Sequence, residues 1–68
     1  MLHKGQRIGS LILVGAGVGE IEGRGPREVY IFTDMEGKEC ICIGAYDKGR
    51  KISEKELIEI INREYPVQ

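Results

Sequence analysis

A mainly β fold closed by one C-terminal α-helix is what this sequence predicts, and three observations carry that expectation. Residues 28–44 read as two apolar strands around a turn. Five of the ten glycines crowd into Gly15–Gly25, directly after the aliphatic run Leu11–Val14. Glycine at that density marks a backbone that bends, bulges or lies close against another group. The C-terminal segment carries a helix-start signature with an apolar stripe behind it. Strands followed by a single helix, rather than alternating with helices, indicate a small antiparallel barrel of four to five strands with a helical appendage.

Taken in order, residues 1–5 are a lead-in. Gln6–Val14 reads as a strand broken at Gly9-Ser10. Val18–Glu22 alternates apolar and charged residues, the period of a strand with one wet face. Gly23–Arg27 contains Gly25-Pro26 and reads as a loop. Glu28–Asp34 is rich in β-branched and aromatic residues, Glu36-Gly37 is a turn, and Lys38–Gly44 is the return strand, so 28–44 is a β-hairpin. Both of its faces are apolar, which predicts that the barrel interior covers one and the helix or a second subunit covers the other. Asp47–Lys51 reads as a polar loop. Ser53 and Glu56 make a capping box, Ile52 and Leu57 a hydrophobic staple. Leu57, Ile58, Ile61 and Tyr65 fall on one helical face, Ile60 widens it, and Pro66 ends it.

Sixty-eight residues make a single domain, 1–68, with strands within 6–44 and a helix at about 54–65. A chain this short buries only about 60% of its unfolded surface, enough for one small core without a deep cleft. A second copy of the chain is therefore a candidate partner, since it would complete a thin core. Charged residues make up 31% and the net charge is −1, the composition of neither a basic nucleic-acid tail nor an acidic disordered segment. Leu11–Val14 is far too short to span a bilayer, so no membrane association is expected. Glycines and charges follow Met1 within five residues, which is not a signal-peptide pattern. With two cysteines and no disulfide framework, this points to a cytoplasmic setting.

The motifs that would carry chemistry fall short of it. Leu11–Gly17 resembles the opening of a dinucleotide-binding fingerprint, but the third glycine position is Glu20, and Gly23, Gly25 and Pro26 leave no room for the helix that would face a pyrophosphate. Gly44–Lys51 has the glycine spacing of a phosphate loop, with Arg50 in place of its lysine and Lys51 in place of its hydroxyl residue; it reads as a turn. Cys40 and Cys42 point to one strand face and, with His3 alone in the lead-in, make no metal set; they read as small packed side chains. One histidine, two serines and one threonine give no nucleophile–base constellation. No catalytic residue, metal or cofactor is expected, and a nucleotide-binding enzyme is the third-ranked reading.

Charge placement is the remaining functional signal. Residues 1–51 hold eight Lys/Arg against seven Asp/Glu, and residues 52–68 two against four. Arg24, Arg27, Lys48, Arg50 and Lys51 fall in loops, with Tyr46 just before the last three. Loops at one end of a small barrel lie close together, so these six residues are the candidate partner-binding rim. Basic groups beside an aromatic ring grip phosphates and stack a base, or meet an acidic protein patch. Solubilising loop charge is the plain alternative, and Lys4 and Arg7 are the next candidate surface.

Two resemblances bear on the partner. Lys4-Gly5-Gln6-Arg7-Ile8, Gly17–Gly23, the hairpin and Leu57-Ile58 resemble SH3-like small barrels of the KOW and CarD-like type. That resemblance implies an SH3-like barrel that binds RNA polymerase, ribosomal RNA or another protein and is not an enzyme. Met1-Leu2, Arg7-Ile8-Gly9-Ser10, Val14-Gly15, Ile43-Gly44 and Ile52–Leu57 are similar in order to the carbon storage regulator family, which implies a small RNA-binding translational regulator. That family's RNA-contacting His-Arg pair corresponds to Ser53-Glu54 here, so this reading ranks second. The sequence thus predicts a non-catalytic binding or adaptor module for a protein or for RNA or DNA, in transcription or translation.

Overall fold

The structure, a computed structural model, describes residues 2–20, 23 and 25–67. Arg7–Ile8 (β1), Leu11–Glu20 (β2), Pro26–Asp34 (β3) and Cys40–Gly44 (β4) form one antiparallel sheet in the order β1-β2-β3-β4, curled into a half-barrel. Tyr46–Asp47 (β5) and Arg50–Lys51 (β6) pair as a second, two-stranded sheet, and Glu54–Glu64 (α1) follows. The fold is mainly β with one C-terminal helix, as the sequence predicts.

The strand break at Gly9-Ser10 is a two-residue turn that sets Ile8 opposite Leu11. β2 then runs unbroken through Gly15, Gly17 and Gly19, where the sequence indicates two separate strands. A bulge at Val14 makes this continuity compatible with a core. Before it, Leu13 lies opposite Phe32; after it, Gly15 lies opposite Ile31. The extra residue flips the alternation. Leu11 and Leu13 therefore face the core, while Gly15, Gly17 and Gly19 share the outer face with Val29 and Ile31. Beyond the bulge the ribbon leaves the core, and Val18, the apolar member of the expected half-wet strand, is 75% exposed. Ile21, Glu22 and Arg24 lie outside the described residues. β3 starts at Pro26, so Pro26 and Arg27 belong to a strand rather than to the expected loop.

The helix is built as its capping sequence requires. Ser53 is the N-cap, and its hydroxyl accepts from the Glu56 amide at 3.2 Å. Leu57 and Ile61 are buried, with Ile58, Ile60 and Tyr65 partly so. They close one core with Ile8, Leu11, Leu13, Phe32 and Ile52. Each such side chain contributes about 1.5–3 kcal/mol on burial. At the far end, the Tyr65 carbonyl accepts from the Ser10 amide at 2.8 Å and the Ser10 hydroxyl at 3.2 Å, which ties the helix terminus to the β1–β2 turn.

Cover of the second face of the 28–44 hairpin by the helix, and packing of its cysteines, both fail for one reason. Tyr30, Phe32, Ile41 and Ile43 share a face by register, and the helix packs on that same face, so interior and helix are not on opposite sides. The other face keeps Val29 buried and Ile31 half-buried, but Cys40 and Cys42 are exposed rather than packed. Both thiols should therefore react with Ellman's reagent in the native protein without denaturant. A thiol that titrates only after unfolding would put it back in the core.

Candidate partner-binding surface

The segment expected to be a polar loop, 47–51, is instead most of a hairpin. Tyr46 pairs with Lys51 and Asp47 with Arg50. Lys48 and Gly49 make the turn with φ of 54° and 80°, two successive left-handed residues, the backbone that a two-residue hairpin turn matched to strand twist requires. The Ile52 amide donates to the Ala45 carbonyl at 2.9 Å and closes the base. The hairpin is thus anchored by buried Ala45 and Ile52, while Asp47, Lys48, Arg50 and Lys51 are exposed.

Arg27 reaches this hairpin from β3. Its guanidinium lies over the Tyr46 ring, 5.3 Å from the centroid. At a partly exposed site such a contact is worth about 0.5–1 kcal/mol. Arg50 lies 3.6 Å from the Glu56 carboxylate and Lys51 3.7 Å from that of Glu28. Both pairs are exposed and contribute little to stability. They do reduce the positive field of the rim, an effect that a count of loop cations misses. Below the hairpin, burial first, then the Glu54 and Glu28 carboxylates, push the Tyr30 phenol above its ordinary pKa, with Lys51 acting against them. Tyr30 is un-ionised at neutral pH.

Of the six predicted rim residues, the structure brings Arg27, Tyr46, Lys48, Arg50 and Lys51 to one hairpin; Arg24 lies outside the described residues. Lys4 and Arg7 belong elsewhere. Arg7 pairs with Ile12, which pairs with Thr33, six residues from Arg27 along β3. That is about 20 Å at strand rise, so the two basic groups are separate surfaces. Arg7 lines an open depression with Ser10, Asp34, Met35, Glu36 and Val67, where two carboxylates offset it.

The glycine-rich motifs take no phosphate-binding form. Gly15 and Gly17 sit inside a paired strand, and among the described residues the next element after that strand is β3 rather than a helix. Gly44–Lys51 spans the end of β4 and the hairpin. Among the described residues, no group of three or more His, Cys, Asp or Glu side chains is placed to hold a metal, and no helix is long and apolar enough to cross a membrane. Comparison with known proteins finds no matching family model, no matching curated protein and no matching solved structure.

Proposed function

We propose that this chain is a non-catalytic adaptor module of the cytoplasm, an SH3-like barrel that presents the β5–β6 hairpin to an acidic patch on a protein partner. The observation that carries the reading is the Arg27–Tyr46 stack, set beside Lys48, Arg50 and Lys51 on a hairpin that is anchored at its base and exposed at its tip. An anchored hairpin loses little entropy on binding, which favours a preformed contact surface.

The same stack bears on nucleic acid. One face of the Tyr46 ring is occupied by Arg27, and Arg50 and Lys51 already have carboxylate neighbours. That supports a protein partner over a base-stacking one. A regulator that binds single-stranded RNA, the second reading, would use its cations for phosphate contacts at about −0.7 each in the log–log salt slope, against about −0.9 each for duplex.

The test is a salt titration of wild type and an Arg50→Glu/Lys51→Glu variant. The expected result is no shift of RNA or DNA at low salt, and capture of acidic proteins from cytoplasmic extract that the double reversal abolishes while its circular dichroism spectrum remains that of the folded parent. An RNA slope of roughly −2 to −4, flattened by the reversal, would replace this reading with the RNA-binding one. Binding that survives the reversal would move the surface to Lys4 and Arg7.

A further inference from the structure

The two edges of the four-stranded sheet are not alike. The β1 edge is two residues long, and the turn beside it is held by the helix terminus through Ser10 and Tyr65. The β4 edge is open along Cys40 and Cys42, and the hydrogen-bond phase of the ladder shows how. The Ala45 amide donates to the Glu28 carbonyl, and the Asp34 amide to the Glu39 carbonyl. These bonds fall at the two ends of a single register in which Tyr30 faces Ile43 and Phe32 faces Ile41. In an antiparallel ladder, bonded and non-bonded pairs alternate. Residues 39, 41, 43 and 45 therefore turn their backbone groups toward β3, while Cys40 and Cys42 turn theirs away from it. Among the described residues, nothing pairs with those outward groups.

Edge strands are ordinarily guarded by proline, an inward-pointing charge, a bulge or a covering element. Cys40-Ile41-Cys42-Ile43-Gly44 has no proline and no charge, and its register with β3 is unbroken. Its side chains are apolar or weakly polar on both faces. Ile41 and Ile43 are only partly buried against the core, and the two thiols are exposed. What such an edge accepts is another extended strand.

The charges that flank β4 indicate which strand. The preceding turn, residues 34–39, carries Asp34, Glu36 and Glu39 against Lys38. The following hairpin, residues 46–51, carries Lys48, Arg50 and Lys51 against Asp47. An acidic segment lies at one end of the strand and a basic segment at the other. When two copies of β4 pair antiparallel about a two-fold axis, the acidic turn of each copy meets the basic hairpin of the other, and the match occurs twice. A parallel pairing would set like charge against like. Glu39 and Lys48 are the members of these segments best placed to use the match, since neither has an ion-pair partner among the described residues.

We propose that the chain forms a two-fold homodimer by antiparallel pairing of β4 with β4 of a second copy, giving one continuous eight-stranded sheet. Two isologous strands supply the missing partners of the Cys40 and Cys42 backbone groups, and Ile41 and Ile43 gain cover at the seam.

The test is sedimentation equilibrium of the full chain against concentration and salt. Wild type is expected to reach twice the 7.6 kDa chain mass, with weaker association at high salt. Cys42→Pro removes an amide that faces away from β3, so the four-stranded sheet retains its ladder and the dimer is lost. Should that variant not fold, the exposed charges decide. Glu39→Lys and Lys48→Glu should each weaken the dimer by about two- to fivefold, and the double exchange should restore it. A wild type that stays monomeric at every concentration overturns the proposal. So does a dimer that persists in folded Cys42→Pro, or single charge reversals that leave association unchanged.

Discussion

Replacing Ile61 with aspartate is expected to unfold this protein at room temperature. Ile61 is fully buried, in contact with a cluster drawn from β1, β2, β3 and the helix. Among the described residues, β1, β2 and β3 meet the helix through that one cluster, with Ile41 and Ile43 of β4 packed against it. A carboxylate placed there either stays ionised and unpaired or takes up a proton and remains without a hydrogen-bond partner. The cost is about 4 kcal/mol or more. A single core in a chain this short rarely supplies more than about 3–5 kcal/mol in total. Ile61→Val is expected to cost only about 0.5–1.5 kcal/mol. Ile60→Asp, one position round the helix and only half-buried, should fall between the two. Urea denaturation followed by circular dichroism ranks the three variants. An Ile61→Asp protein with the parent's midpoint would mean that the helix does not close the core.

The elements that were legible in the sequence are those whose signals are local. The 28–44 hairpin announced itself by β-branched and aromatic runs around Glu36-Gly37, and Gly37 indeed sits in the turn with φ of 73°. The helix start was written in Ser53 and Glu56, although only half of the box is used: the Ser53 hydroxyl caps the Glu56 amide, while the Glu56 carboxylate pairs with Arg50. What stayed hidden depends on parity or on partners. One bulged residue, Val14, decides which face Gly15, Gly17 and Gly19 take, and no local pattern marks that residue. The burial of Cys40 and Cys42 depended on which face of an apolar hairpin the helix would choose, and alternation is silent on that choice.

The rim was half legible. Its cations were countable, and the turn at Lys48-Gly49 had a signal in the glycine, but strands of two residues are too short to show a period. The carboxylates of Glu28 and Glu56, from a strand and a helix far apart in sequence, temper the rim only after folding. A loop cation is therefore a poor measure of field until its neighbours are known. For the same reason, the salt titration of the hairpin variant discriminates partners better than net charge does.

Gly9→Ala is expected to be more damaging than the same change at Gly5, Gly15, Gly17, Gly19, Gly23, Gly25 or Gly37. Gly9 has φ of 57°, and a Cβ there would collide with the Tyr65 carbonyl oxygen and lie 3.3 Å from that of Ile61. Both are backbone atoms at the helix terminus, so neither can rotate away as a side chain would. The left-handed conformation alone costs an L-residue about 1–2 kcal/mol. Relief of the collision requires the helix end to move off the β1–β2 turn, which breaks the two bonds from Ser10 to Tyr65, each worth about 1 kcal/mol. The sum is about 3–4 kcal/mol. Gly37→Ala is the matched control, because Gly37 has a similar φ of 73° and nothing within 4 Å of an added Cβ. It carries the conformational cost without the collision. The difference between the two variants in urea midpoint isolates the contact between turn and helix terminus. Equal losses would show that the strain is all conformational and that the helix end is free to move, and the docking of Tyr65 on Ser10 would then contribute nothing to holding the helix over the core.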